Sequence, residues 1–313
     1  MKRLFCIASI MALAAFCSFA GEPSEEAAGE STVESLKITI LSTNLANRGL
    51  GEWGFSALVE ADGKAILFDT GNRKKTVLDN AEELEIDLTG VEDVVLSHNH
   101  GDHVGGLVTL RKAFRDAHPK ALSRAHIVPG FFPEGLEESD EGRVKWLAAL
   151  KKHYEAAGGT FVEHEKPFEI LPGVWLSGFV PRLESPESRD VPVPDDQSLF
   201  FSTKEGTVIL CGCCHAGVIN TVEHSRKLLP GRPIHALLGG LHLMRTDEAV
   251  LASIGRTLKE AGIRYLWGAH CTGTEAHFVL RDAAGLSRSN SAVGAVGGTF
   301  TLGEGIAPGS IAH

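Results

Sequence analysis

Apolar positions from Leu36 onward fall first into short β-rich runs and only later take helical spacing. Lys37–Ser42, Phe55–Glu60 and Ala65–Asp69 read as strands, and Ala61-Asp62-Gly63-Lys64 between the last two is a hairpin turn. Thr76–Leu84 has helical spacing, and the β-branched run Val91–Ser97 predicts a buried strand. A helix is expected to begin near Asp102 or His103 and to run past Leu110 toward Ala117. The stretch 120–190 is less regular. It offers a helix over Gly142–Ala157, strands at Thr160–Glu163 and Val174–Gly178, and the apolar loop Pro129-Gly130-Phe131-Phe132-Pro133. Pro181, Pro186, Pro192 and Pro194 mark a long connection, of the kind that more often serves function than mere linkage. Ser198–Ser202, a Lys204-Glu205-Gly206 turn and Thr207–Leu210 form a second hairpin. Two strand–loop–helix units follow: Ile234–Leu238 before Asp247–Ala261, and Tyr265–Trp267 before Thr274–Ala283. A strand at Gly298–Leu302 closes the series, and the order of elements predicts a layered α/β sandwich.

The N-terminus departs from this pattern. Met1–Ala20 has Lys2 and Arg3, then the apolar run Leu4–Phe16 broken by Ser9, then small residues at Ser18 and Ala20, and reads as a secretory leader. The run is shorter than the roughly 20 residues a membrane span needs, so cleavage and export to the periplasm or medium are expected, with no stable span left. Residues 21–35, rich in Glu, Ala, Ser and Gly, read as a flexible tether. The chain has 313 residues with 43% hydrophobic and 22% charged, which excludes a disordered or polytopic membrane protein. A formal net charge of -10 argues against nucleic acid as a partner bound by bulk charge. Of six cysteines, Cys211, Cys213, Cys214 and Cys271 remain after the leader, too few for a disulfide scaffold.

The candidate chemistry lies in histidines, of which there are 14, none before His98. Ser97-His98-Asn99-His100-Gly101-Asp102-His103 follows the buried strand directly and leads into a helix. Two residues apart, His98 and His100 can face one centre, while Asp102 and His103, past the Gly101 turn, can face a second. Imidazole nitrogen and carboxylate oxygen are ligands of borderline divalent ions such as zinc. His215 and His270 sit just beyond the strands Thr207–Leu210 and Tyr265–Trp267, at the same kind of strand end, and are expected to be ligands too. His242 follows Ile234–Leu238 at a Gly-Gly turn that lets backbone pass close to a neighbour; a ligand and a donor to a substrate anion are equal readings. His118, His126, His153, His164, His224, His235, His277 and His313 lie outside such motifs and read as surface or structural.

The heptad resembles the signature of the metallo-β-lactamase-fold superfamily, and that resemblance implies a four-layer αββα sandwich over residues 36–305, with 120–190 as an irregular insertion on the substrate side. Asp69, in Leu67-Phe68-Asp69-Thr70-Gly71, matches the strand-end aspartate that supports the ligand loop. Pro194-Asp195-Asp196-Gln197-Ser198-Leu199, Gly212-Cys213-Cys214-His215-Ala216-Gly217, Gly239-Gly240-Leu241-His242-Leu243 and His270-Cys271-Thr272-Gly273 are similar to the subgroup named after dihydropterin–ribofuranosylaminobenzene-phosphate synthase. Cys214 stands where that subgroup usually has serine, and Leu241 where it usually has an aromatic residue.

The resemblance implies two divalent ions, zinc first with manganese or iron as alternatives, held by His98, His100, Asp102, His103, His215 and His270. Dinuclear members often add a bridging aspartate after the hairpin strand, but Cys211-Gly212-Cys213-Cys214-His215 contains no carboxylate. Asp195 or Asp196 could swing in, or could instead cap the loop. For Cys213, Cys214 and Cys271 three readings stay open: a soft ligand, a disulfide between Cys271 and the 211–214 turn, or small buried packing. A centre with few carboxylates stays positive, which predicts a small anionic substrate. Asp102 would orient a metal-activated nucleophile, His242 would donate to the leaving group, and Phe131 and Phe132 would wall the cleft. The expected activity is an exported hydrolase of an anionic ester, phosphoester or lactone. A pterin-type condensation and a non-catalytic metal sensor are the alternatives.

Overall fold

The computed structural model describes residues 31–132, 141–183 and 196–312. The leader, tether residues 21–30, Pro133, Pro186, Pro192, Pro194, Asp195 and His313 lie outside the described residues. No helix among the described residues is long and apolar enough to cross a membrane.

Two sheets carry the architecture. One has eight strands in the spatial order Gly305–Ala307, Thr299–Thr301, Leu36–Ser42, Ser56–Ala61, Lys64–Phe68, Asp93–Val95, Arg124–Ile127, Thr160–Glu163. The other has seven, ordered Ser291–Val293, Tyr265–Ala269, Ile234–Gly240, Gly206–Cys211, Ser198–Thr203, Val174–Leu176, Phe168–Leu171. Both central strands of the second sheet are buried along their whole length, so their two faces must bury against different layers. Val208 and Leu210 point into the core between the sheets, where they meet Ile38, Phe55, Phe68 and Val95 of the first sheet, while Ile209 and Cys211 point outward. Outward residues pack under helices Val218–Leu228, Glu248–Glu260 and Thr274–Ala284. On the first sheet Leu67 and Val94 pack under Thr76–Glu83, Leu107–Phe114 and Glu141–Ala156. Three apolar layers thus separate four structural ones, and the sandwich is αββα.

Four strands in each sheet run parallel, from Lys64–Phe68 to Thr160–Glu163 and from Gly206–Cys211 to Ser291–Val293. Parallel strands deliver all their carboxyl ends to one edge, and residues just past those ends can converge without being neighbours in sequence.

Several expected boundaries move. The tether does not extend to residue 35: Val33 is buried in the inter-sheet core, bridges to Thr203 and donates its amide to Ser202 O at 2.8 Å. The Asp62 carboxylate, at the tip of the predicted hairpin, accepts the amides of Glu34 and Ser35. At the other end the fold continues past residue 305 through Gly305–Ala307. The helix expected from Asp102 toward Ala117 is two pieces, Gly101–Val104 and Leu107–Phe114. Gly105 and Gly106 break it because their backbone lies against the loop that follows Phe68; a Cβ on Gly105 would stand 1.8 Å from Asn72 O. The stretch 120–190 is not a separate substrate-side insertion, since Arg124–Ile127 and Thr160–Glu163 complete the first sheet and Phe168–Leu171 and Val174–Leu176 complete the second. Of these, Arg124–Ile127 and Phe168–Leu171 were not expected; they are short and carry a polar residue, so they give little hydrophobic signal of their own. Phe131 belongs to the outer core beneath the first sheet's helices, and its carbonyl accepts Asn99 Nδ2–H at 2.7 Å.

Candidate metal centre

Asp69 follows the strand Lys64–Phe68 with φ +56, fully buried. Its Oδ1 accepts the Ser97 amide at 2.7 Å, and its Oδ2 accepts Ser97 Oγ–H and His103 Nδ1–H, each at 2.7 Å. An ionised carboxylate only accepts, so the His103 proton sits on Nδ1 and Nε2 is left with its lone pair facing away from Asp69. Ser97 Oγ spends its one proton on Asp69 and accepts from His98 Nδ1–H at 2.9 Å, which leaves His98 Nε2 bare as well. One buried aspartate therefore sets the tautomers of two imidazoles from a single loop. This support was legible in the sequence.

The lone pairs gather at two points. His98 Nε2 lies 3.0 Å from His100 Nδ1 and 3.3 Å from His215 Nε2. A single lone pair cannot satisfy two ring nitrogens, whereas one tetrahedral cation with ligands at 2.0–2.1 Å would hold them about 3.3 Å apart. On the other side Asp102 Oδ2 lies 3.3 Å from His270 Nε2 and 4.0 Å from His103 Nε2. Neither ring nitrogen of His270 has a well-formed hydrogen bond despite its burial, an orphaned state that coordination of one nitrogen would relieve. The six residues expected to be ligands thus fit a pair of metal ions.

Charge is arranged accordingly. Burial pulls His98 well below its ordinary value, with neighbouring imidazoles adding to it. Burial also brings His100 down to about 4, with Arg143 adding to it, and His215 down to about 2, with His242 adding to it. All three are neutral at pH 7, the form that binds cations. Burial alone would depress His103, but the Asp69 carboxylate outweighs it and holds the imidazole raised. Burial would lift the Asp102 carboxyl, but His270 and His103 beside it hold it well below the usual carboxylate range.

The second sheet supplies its side through tight strand ends. A Cβ on Gly212 would stand 2.1 Å from Ser97 Oγ, so this glycine lets the two sheets' loops meet, and one on Gly240 would stand 2.1 Å from Gly212 O, so that glycine lets neighbouring strand ends of the second sheet close up. Gly239 and Gly240 end the strand Ile234–Gly240 and do not form the expected turn; the backbone they approach is the neighbouring strand end, where a Cβ on Gly239 would lie 2.0 Å from Cys211 O. His270 is clamped in the left-handed region at φ +48 by Thr43 Oγ1, which accepts its amide, and Asn44 Nδ2, which donates to its carbonyl. Among the described non-glycine residues with positive φ are Asp69, Cys214, His242 and His270. Such backbone costs of order 1–3 kcal/mol at each position and gathers where function requires it.

His242 reaches the centre, its ring 4.5 Å from that of His215 and its Nδ1 buried without a hydrogen-bond partner. Asp196 does not swing in: its carboxylate accepts the amides of His215 and Ala216 and so caps the ligand loop. The four described cysteines are free; Cys213 Sγ and Cys271 Sγ lie 3.2 Å apart, not joined. His126, His235 and His277 are buried in structural contacts, and His118 and His153 are exposed, all apart from the centre.

Sequence reading missed three residues at the mouth. Trp53, 46% exposed, lies with its ring 4.8 Å from that of His270. Arg143 donates to Asn99 Oδ1 and acts electrostatically on His100, and Arg182 does so on His215. In the sequence each is a single residue in a loop or a helix, where no periodicity marks it. Glu52 was also missed; it is buried and gathers Ser42 Oγ and the amides of Asn72 and Arg73, bracing the loop beside Asp69.

Comparison with known proteins agrees with this geometry. The chain is 28% identical over 279 residues to the 7,8-dihydropterin-6-methyl-4-(beta-D-ribofuranosyl)-aminobenzene-5'-phosphate synthase of Methanocaldococcus jannaschii, covering 80% of this chain and 92% of that one. The crystal structure of Tm1679, described as a metal-dependent hydrolase of the beta-lactamase superfamily, superposes with a TM-score of 0.63 at 26% identity, over 84% of this chain and 98% of that one. The metallo-beta-lactamase fold protein YhfI from Bacillus subtilis shares the fold, with a TM-score of 0.55 at 15% identity over 85% of this chain and 99% of that one. With residues 54–231 matching the family's own pattern and both sheets delivering histidines to one edge, the chain belongs to the metallo-beta-lactamase superfamily, a superfamily of metal-dependent enzymes.

Proposed function

We propose that this protein is an exported hydrolase that uses two divalent metal ions, zinc first, on a small anionic ester, phosphoester or lactone. The observation that carries the reading is the convergence of six donor residues into two groups, His98–His100–His215 and Asp102–His103–His270. Divalent ions held there supply Lewis acidity and bring the pKa of water toward neutrality.

The chain's own residues divide the remaining work. Asp102, ionised and only partly exposed, is placed to orient a nucleophile on the side of His270. His242 stands beside His215 and is the side chain suited to donate to a leaving group. Arg143 and Arg182 place positive charge near His100 and His215, which favours an anionic substrate. Trp53 offers a partly exposed aromatic face next to His270. The similarity to Tm1679 supports hydrolysis.

A second reading, a transferase condensing a pterin with an aminobenzene riboside, is favoured by the similarity to the M. jannaschii synthase. The leader-like N-terminus speaks for the first, because it implies work outside the cytoplasm. The test is turnover of chromogenic phosphodiester, phosphomonoester and lactone substrates by zinc- or manganese-loaded protein, with Asp102→Asn as control. Hydrolysis abolished in the variant supports the first reading. Condensation of pterin and aminobenzene partners without hydrolysis replaces it with the second.

A further inference from the structure

We propose that the Cys213 thiolate is a ligand shared by the two metal positions, in the place where dinuclear relatives carry a bridging carboxylate. The inference rests on the metal-centre reading above and adds a seventh donor to it.

Four cysteines surround the centre, and their sulfurs point to different tasks. Cys211 Sγ meets Ser198 Oγ at 3.5 Å, and Cys214 Sγ meets Thr221 Oγ1 at 3.2 Å, both away from the histidines. Cys271 Sγ accepts the His242 amide at 3.2 Å and lies within 4.8 Å of Cys213 Sγ and a His242 ring nitrogen, but among the described residues it shares no such group with His98, His103, His215 or His270. Cys213 alone reaches both histidine groups. Its sulfur and one ring nitrogen each of His98 and His215 lie within 4.8 Å of one another, and the same holds for its sulfur with His103 and His270. Its distance to His103 Nε2 is 3.3 Å. A tetrahedral ion with nitrogen at 2.0–2.1 Å and sulfur at 2.3 Å would separate those two ligands by about 3.5 Å, so the spacing is already that of a shared cation.

The carboxylates supply the complementary argument. Asp69 is committed to Ser97 and His103, and Asp196 is turned to the amides of His215 and Ala216. Among the described residues at the centre, this leaves Asp102 as the one anionic donor for two dications. Excess positive charge buried in that way is costly, and a thiolate at the midpoint offsets part of it at both ions. The thiol gives up its single proton to solvent when the first metal–sulfur bond forms, since a coordinating thiol is deprotonated by the cation, and the second bond would use another lone pair of the same sulfur. Cys213 is also nearly fully buried, which shields it from competing thiol chemistry.

The test uses the full chain loaded with zinc, and in parallel with cobalt, under a phosphine reductant. X-ray absorption at the metal edge is expected to show a sulfur shell at about 2.3 Å, and cobalt-loaded protein a near-ultraviolet thiolate-to-cobalt band. Both signals should persist in Cys271→Ala and vanish in Cys213→Ala. Cys213→Asp should hold two ions per chain with nitrogen and oxygen scatterers only. Cys213→Ala should release one ion to a competing chelator at least tenfold more readily. If that variant fails to fold, Cys213→Ser and Cys213→Asp carry the same comparison. A two-ion wild type with no sulfur shell, or a sulfur shell lost in Cys271→Ala but kept in Cys213→Ala, overturns the proposal and leaves the metal centre standing. Wild type that takes up no ion overturns the metal-centre reading itself.

Discussion

Asp69→Asn tests the logic of the centre most directly, because the side chain keeps its shape and loses only charge and acceptor capacity. The wild-type carboxylate receives three protons at 2.7 Å, from Ser97 N, Ser97 Oγ and His103 Nδ1, in a fully buried site. Asparagine offers one acceptor oxygen and one donor amide. With the oxygen toward Ser97 N, the amide confronts the Ser97 hydroxyl and the His103 N–H; with the oxygen toward His103, it confronts the Ser97 amide. Either orientation sets a donor against a donor. Hydrogen bonds to charged groups are worth about 1.5–3 kcal/mol each. Losing one, together with the conflict, is expected to cost roughly 2–5 kcal/mol, read by urea unfolding of chelator-treated protein. The hydroxyl can escape by rotating and His103 by moving its proton to Nε2, and that second escape blocks the nitrogen that faces the metal position. Affinity on the Asp102–His103–His270 side should then fall about 10–100-fold, read by competition with a chromophoric chelator. In a His103→Ala background the same substitution should no longer change that affinity, since its route is gone. Unchanged unfolding midpoint and unchanged affinity in Asp69→Asn would refute the assignment of tautomers by this aspartate.

Other expectations are simpler. Gly212→Ala places a Cβ 2.1 Å from Ser97 Oγ and 2.7 Å from Asp69 Oδ2; it should destabilise by about 1–3 kcal/mol and weaken metal binding, whereas the exposed Gly63→Ala should leave metal uptake unchanged. In the metal-free protein His100 should titrate at about 4 by NMR, held down first by burial and then by Arg143; Arg143→Ala should move it upward, and no movement would remove Arg143 from the mouth. His277, away from the centre, is brought by burial to about 4 from an ordinary 6.5. As the pH falls from 6.5 to 4, the unfolded chain takes up a proton there that the folded chain refuses. Its contribution to stability is thus lost over that window, at up to about 1.4 kcal/mol per pH unit. The difference between wild-type and His277→Gln stability curves should show that slope and flatten above pH 7.

The sequence by itself determined more of the centre than of the frame around it. His98, His100, Asp102 and His103 are readable because a buried strand fixes where the chain emerges and a short helix begins at once at Gly101, so a short segment already holds two of the three members of each donor group. His215, His242 and His270 are readable by the same strand-end rule, though nothing local says which donor each will meet. The partnership was decided by tertiary structure: parallel strands of two sheets release their ends at one edge, and glycines 212, 239 and 240 let those ends approach within contact. Strands such as Arg124–Ile127 and Phe168–Leu171 were invisible as sheet members because their pairing partners, not their own hydrophobicity, hold them extended. Val33 passed for tether because a single apolar residue carries no periodicity, and only the gap it fills between the sheets identifies it as core. Arg143 and Trp53 belong to the same class. Their position beside the histidines is a property of how layers stack, which is a long-range packing outcome that no window along the chain contains.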